Sequence, residues 1–179
     1  MIIFECDDIR VRRLELEDSE LLVKWLSDSV LLEYYEGRDR PHDLELVRKH
    51  FYDGREEVTQ CILQYKAKDI GYLQFYLIDD EEAREYGYTG FKGRIFGMDQ
   101  FIGETDCWNQ GIGSLIIKET VKYLIEVEQA DRIVMDPQVW NARALRVYEK
   151  CGFVKKKYLE KHEQHEGELR DCWLIEYTK

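Results

Sequence analysis

Proline is nearly absent, with two residues in 179, and no Pro/Gly/Ser-rich linker, internal repeat or low-complexity tract divides the sequence. A chain of this length without a linker is expected to be a single domain, residues 1–179, able to bury a sizeable core. No apolar run approaches the roughly 18–20 residues needed to span a bilayer. The opening Met1–Asp8 lacks the basic start and long apolar stretch of an export signal, so a cytoplasmic protein without membrane partners is expected. Cysteine is scarce and unpaired: five residues, an odd number, with no C-x-x-C, which argues for packed, reduced thiols rather than a disulfide framework. His162 and His165 lie close together but have no cysteines at ligand spacing, so no metal site is expected. Positive charge is also short, 26 Lys and Arg against 37 Asp and Glu, for a net charge of −11. Such a field repels nucleic acid and attracts cations.

What is present reads as an α/β chain. Ile9–Leu16 alternates like a strand. Asp18-Ser19-Glu20 offers N-cap chemistry to a helix with Leu21, Leu22, Trp25 and Leu26 on one face. A second helix is expected from near Asp43, with Leu44, Val47 and Phe51 at helical spacing. Val58–Tyr65 and Ile70–Ile78 are strand-like and joined by the polar turn Lys66–Asp69. The acidic stretch Asp79–Gly93 reads as a long loop, of a length usually functional or mobile.

Ile95–Ile102 follows as a strand, then Gly111–Ala130 as a helix. Its buried stripe is expected at Ile112, Leu115, Ile116, Thr120, Tyr123, Leu124 and Val127. Arg132–Met135 is a short strand ending at Asp136-Pro137. Asn141–Cys151 is a helix capped by Asn141 and ended by Gly152. Phe153–Glu160 and Leu169–Tyr177 read as a closing hairpin. The expected architecture is a central mixed, mostly antiparallel β-sheet flanked by helices on both faces.

The segment with the clearest chemistry is Trp108-Asn109-Gln110-Gly111-Ile112-Gly113-Ser114. Two glycines at the head of a helix let the backbone approach an anion, and the unpaired N–H groups with the helix dipole favour phosphate. The pattern is neither a P-loop, which needs Lys-Ser/Thr after the second glycine, nor a full dinucleotide fingerprint.

About thirty residues later comes Asn141-Ala142-Arg143-Ala144-Leu145-Arg146-Val147-Tyr148-Glu149-Lys150-Cys151-Gly152-Phe153. Together with the loop and its flanking strands, this helix resembles the GNAT family of acyl-CoA N-acetyltransferases. The resemblance implies acetyl-CoA as co-substrate, its pyrophosphate on the amides of Trp108–Ser114 and its pantetheine arm along Gln100, Phe101 and Ile102. Asn141 and Ala144 would border it, and Tyr148 would lie near the thioester sulfur. Where the family often has Gln or Arg three residues before the first glycine, this chain has Trp108, which implies packing rather than charge there.

A narrower resemblance is carried by Lys24-Trp25-Leu26, Glu33-Tyr34-Tyr35 with Gly37-Arg38-Asp39, and Ile70-Gly71-Tyr72-x-Gln74-x-Tyr76. It continues through Gly97-Met98-Asp99-Gln100-Phe101-Ile102-Gly103-Glu104, Asp136-Pro137 and His162-Glu163-x-His165-Glu166-Gly167. These segments are similar to the aminoglycoside 6′-N-acetyltransferases, which implies polycationic substrates such as kanamycin or tobramycin. Binding such amines calls for a carboxylate-lined cleft, and the net charge fits that demand.

The attacking amine must be neutral, yet an alkylamine titrates near ~10, so a proton must leave. Asp99 is the first candidate to receive it, directly, through a water, or by orienting the ammonium alone. Tyr148 would protonate or hydrogen-bond the departing thiolate. With no histidine evident beside Cys107 or Cys151, direct transfer in a ternary complex is expected over a covalent route. Substrate contacts are expected from Tyr35, Gln74, Tyr76, Asp79, Asp80, Glu82, Asp99 and Asp136. The alternatives are a polyamine or protein N-terminus as acceptor, or an acetyl-CoA-binding module without activity.

Overall fold

The computed structural model describes residues 1–179. Its eight strands form one sheet, and the chain divides into two compact units. The strands are β1 (Ile2–Cys6), β2 (Ile9–Arg13), β3 (Thr59–Tyr65), β4 (Lys68–Leu77), β5 (Ile95–Ile102), β6 (Arg132–Met135), β7 (Val154–His165) and β8 (Glu168–Thr178). Their order is β1-β2-β3-β4-β5-β6-β8-β7. The β1–β2, β2–β3 and β6–β8 ladders are antiparallel and β5–β6 is parallel. The fold is the mixed, mostly antiparallel α/β architecture expected of the sequence.

One unit comprises Met1–Gln74, Gln100–Gln110 and His165–Gly167. Its helices are α1 (Ser19–Trp25), α2 (Ser29–Leu32) and α3 (Leu44–Phe51). In β2 the alternation read from sequence appears as burial, with Ile9 and Val11 inside and Arg10 outside. Leu22, Trp25 and Leu26 of the first helical segment pack with Val47, Phe51, Tyr72 and Phe101 in an aromatic core. Trp25 meets Phe101 edge-on at 6.0 Å, and its indole N–H donates to Glu104 at 2.8 Å. Gly103 lies against that indole so closely that a Cβ would sit 2.2 Å from Trp25 Cγ.

The other unit comprises Phe75–Asp99, Gly111–Gln164 and Glu168–Lys179. It carries α4 (Asp80–Tyr86), α5 (Ile112–Glu126) and α6 (Ala142–Lys150). Leu159, Cys172 and Leu174 from the hairpin pack with Ile95 and Val134, and Ile78, Tyr86 and Tyr88 cover the cluster.

Three expectations are corrected and one strand is added. The stretch 79–93 is not a continuous loop, because residues 80–86 form α4. Asp79 accepts hydrogen bonds from the amides of Glu81 and Glu82, the Glu82 side chain accepts from the Asp79 amide, and left-handed Gly87 ends the helix. This reciprocal cap, followed by a C-terminal glycine, satisfies the backbone groups that a loop would leave to water. The stripe on α5 runs through Ile112, Ile116, Ile117, Thr120, Val121 and Leu124, whereas Leu115 and Tyr123 are half-buried. Val127 lies beyond the helix and is exposed. β7 continues past the expected end at Glu160 to His165. Finally, Ile2–Cys6 adds an edge strand that the sequence reading did not contain.

Candidate active site

In the chain from β5 to α5, a short 3₁₀ turn at Thr105–Cys107 leads to Trp108, whose indole N–H donates to the Ile102 carbonyl at 2.8 Å. Its ring meets Tyr34 edge-on at 5.7 Å, so this side chain packs and pins the loop, as its apolar character implied. Asn109 and Gly111 have φ of +59° and +78°. Gly111 is the N-cap of α5 in a left-handed conformation that a side chain would strain. No side chain caps this helix and its first turn holds no acid. A fifteen-residue helix that begins this way is suited to hold an anionic ligand group on its leading amides.

The second motif folds as α6. Asn141 Oδ1 accepts from the Ala144 amide at 3.2 Å, so this side chain caps its own helix. Tyr148 is half-buried, and its ring meets Phe153 edge-on at 6.3 Å. Leu145, one turn earlier, is buried, and Cys151 Sγ donates to the Ser114 carbonyl at 3.6 Å.

β5 pairs with β6 at Ile95, Phe96 and Gly97, and then runs on through Met98 and Asp99 without a further β6 partner in the register. β6 ends at Met135, directly before Asp136. A strand that outlasts its parallel neighbour supplies an edge that an extended ligand can join.

Around these strand ends the second unit gathers carboxylates and tyrosines. Tyr76 donates to Glu82 at 3.0 Å. Gly97 makes room for the Tyr76 ring, since a Cβ there would sit 2.7 Å from Tyr76 Cζ. Burial pushes the Tyr76 hydroxyl well above its ordinary range, and the charges of Glu82, Asp136 and Asp99 push it further, so it stays a neutral donor. Burial also raises Glu82. Asp136 Oδ2 accepts from Tyr86 at 3.0 Å and from His162 Nε2 at 2.7 Å. His162 Nδ1 faces Glu85 at 3.0 Å. For Asp136, burial favours the acid form, but the hydrogen bonds and positive charge of His162, with Tyr86, outweigh it and hold the group below the usual carboxylate range. His162 is raised by its hydrogen bond to Asp136, aided by the charges of Asp136 and Glu85 against its partial burial.

The expected substrate residues thus fall into different settings. Tyr76, Glu82, Asp99 and Asp136 share one electrostatic neighbourhood in the second unit. Asp79 is engaged in the α4 cap and Asp80 is exposed in its first turn. Tyr35 and Gln74 belong to the first unit. There Tyr35 packs on Phe101 at 4.7 Å, and Gln74 Oε1 accepts from Arg55 and from Tyr72. The sequence reading placed none of Glu85, Tyr86 and His162 among the substrate-side residues. The Asp136-Pro137 and His162-Glu163 motifs were visible, but nothing local couples positions 26 residues apart.

Residues 15–161 match the family model described as an acetyltransferase (GNAT) domain. The chain belongs to the GNAT acetyltransferase family. This GNAT chain is 26% identical over 159 residues to aminoglycoside N(6′)-acetyltransferase type 1 of Klebsiella pneumoniae, covering 84% of this chain and 76% of that protein. The fold is also that of the aminoglycoside acetyltransferase AAC(6′)-Ib solved with ribostamycin and coenzyme A, with a TM-score of 0.77 and 24% identity over 97% of this chain and 94% of that one. A chimeric spermidine N-acetyltransferase, of Vibrio cholerae and a second source, shares it as well, with a TM-score of 0.74 and 18% identity over 96% of each chain. No group of three or more His, Cys, Asp or Glu side chains is arranged to hold a metal ion, and no helix is long and apolar enough to cross a membrane.

Proposed function

We propose that this GNAT acetyltransferase moves an acetyl group from acetyl-CoA to the 6′-amine of an aminoglycoside. The observation that carries the acceptor assignment is the cluster of Tyr76 on β4, Glu82 on α4, Asp99 on β5 and Asp136 directly after β6. A cluster of carboxylates matches a ligand bearing several ammonium groups far better than a singly charged or apolar one. The aminoglycoside acetyltransferase of K. pneumoniae, 26% identical over most of this chain, supports the same reading.

On the donor side, the amides from Trp108 to Ser114 and the uncapped start of α5 are the groups that would hold the pyrophosphate. Gln100, Phe101 and Ile102 would take the extended arm in strand-like pairing. Asn141 and Ala144 open α6, the helix that carries Tyr148. Acetyl-CoA supplies the activated acyl group.

In the chemical step the amine nitrogen bonds to the thioester carbonyl carbon, and the carbon–sulfur bond breaks as the tetrahedral intermediate collapses. The amine proton leaves to Asp99, directly or through a water, unless Asp99 acts only to orient the ammonium. Tyr148 donates to the departing thiolate sulfur. Backbone N–H groups of β5 stabilise the negative charge on the carbonyl oxygen. None of this needs a covalent enzyme intermediate.

The reading is tested by thiol release from acetyl-CoA with kanamycin, spermidine and an Ala-starting peptide in parallel. Turnover is expected with kanamycin. Turnover with spermidine or the peptide alone would replace the acceptor class, and none with any acceptor would leave a binding module. In the same assay Asp99→Asn is expected to lower kcat at least ~100-fold, in line with loss of a general base, while acetyl-CoA still binds by calorimetry. Unchanged turnover would remove Asp99 from the mechanism.

A further inference from the structure

Asp136 is held in a manner that its role as a substrate carboxylate does not by itself require. Its Oδ2 receives two donors, His162 Nε2 from β7 and Tyr86 Oη from α4, at 2.7 and 3.0 Å. The far nitrogen of the same imidazole, Nδ1, is 3.0 Å from Glu85 Oε1 on α4. His162 is well covered, with 15% of its side chain exposed, whereas 44% of the Asp136 side chain faces solvent. An imidazole with a carboxylate on each nitrogen is a double donor, and double donation requires the charged form.

We propose that His162 is a positioning residue of the acceptor site, which fixes the ionised Asp136 carboxylate for a substrate ammonium and ties α4 into place through Glu85. The inference rests on the acceptor reading given above. Four observations converge on it. The geometry couples β6, β7 and α4 through one side chain. α4 brings Glu82 into the cluster, where it accepts from Tyr76, so a helix that shifted would move a second carboxylate as well. α4 has no buried residue of its own and spans seven residues, so it depends on such tethers for its position. Lys157, also on β7, donates from Nζ to the Glu85 carbonyl at 2.5 Å and supplies a second tether between the same two elements.

The charges act in opposite directions and the geometry decides between them. An imidazolium near a cation site repels the incoming ammonium. It also keeps a partly buried carboxylate ionised and in one rotamer, and a carboxylate that is protonated or turned away attracts no ammonium at all. Because the imidazolium is already neutralised by Glu85 and Asp136, its repulsion is small beside the loss of aim.

The test compares wild type, His162→Ala and His162→Gln with kanamycin and acetyl-CoA, each protein first shown folded by its thermal melt. His162→Gln keeps a side-chain donor toward Asp136 but not the charge or the second contact. The expected result is a KM for kanamycin about tenfold higher in His162→Ala, close to 1.4 kcal/mol in binding terms. The loss of kcat should be smaller, the KM for acetyl-CoA should hold, and His162→Gln should lie between alanine and wild type. An unchanged or lowered KM for kanamycin in both variants would overturn the positioning role while wild-type turnover left the proposed function standing. A loss confined to kcat, or shared equally by the KM for acetyl-CoA, would overturn it too. A wild-type protein that acetylates no aminoglycoside would overturn the function and, with it, this inference.

Discussion

In the proposed reaction a proton leaves the acceptor amine toward Asp99 and another reaches the sulfur from Tyr148, so the two residues are expected to differ in their consequences when altered. Tyr148→Phe removes a hydroxyl from a half-buried ring packed on Phe153, and the expected result is a kcat about 10- to 100-fold lower with a KM for kanamycin near wild type. Pre-steady-state thiol release measures this directly. The Asp136–His162 pair gives a pH signature in stability. Asp136 is lowered, so its contribution is complete above the ordinary aspartate range and is lost as pH falls through its folded value. His162 is raised, so its contribution is complete below about pH 6.5 and is lost as pH rises through its folded value. The melting temperatures of wild type and His162→Gln should therefore differ most near about pH 5–6 and converge on either side. A difference that is flat with pH would contradict the charged pair. At this scale the sequence offered Asp99, Tyr148 and Asp136 as candidates, each through a motif. It did not disclose their partners, because Glu85 and His162 are brought to Asp136 only by the pairing of distant strands and helices.

Helix α4 shows how an element is missed. Four consecutive acids at Asp79–Glu82 look like a solvated loop, and α4 indeed buries no residue. The deciding signal was the Asp79-x-x-Glu82 spacing with Gly87 beyond it, a capping box and a left-handed stop. Asp79→Ala is expected to cost about 1 kcal/mol of local helix stability and to speed amide hydrogen exchange across residues 80–86. Unaltered exchange would mean that the helix is held by its tethers and not by its cap. The β5–α5 connection depends in contrast on close packing. Gly103→Ala would set a methyl group 2.2 Å from Trp25 Cγ, and overpacking of this kind costs about 1–3 kcal/mol, read as a fall in the denaturation midpoint. α1, α3, α5 and α6 were legible because each carries apolar residues at helical period, and α3 and α6 add a side-chain cap from Asp43 and Asn141. β1 was not. Its burial does not alternate, because an edge strand is held by its ladder to β2 more than by a buried face.

At the scale of the whole molecule, the order of elements and the mixed sheet followed from patterns that repeat every two or 3.6 residues, and those patterns are local. The course of β7 and β8 was shortened in the sequence reading, because charged residues at exposed positions hide a strand that is paired by its backbone. The net charge of −11 adds a property that belongs to no single residue. A polycationic acceptor is drawn by that field, so kcat/KM for kanamycin should fall several-fold as ionic strength rises from about 0.05 to 0.5 M, where screening shortens to a few ångströms. The most direct measurement is the position of the acetyl group in the product formed from kanamycin and acetyl-CoA, read by tandem mass spectrometry and two-dimensional NMR. A single acetyl group on the 6′ nitrogen is expected. An acetyl group on another ring or on oxygen, or unmodified kanamycin, would contradict it.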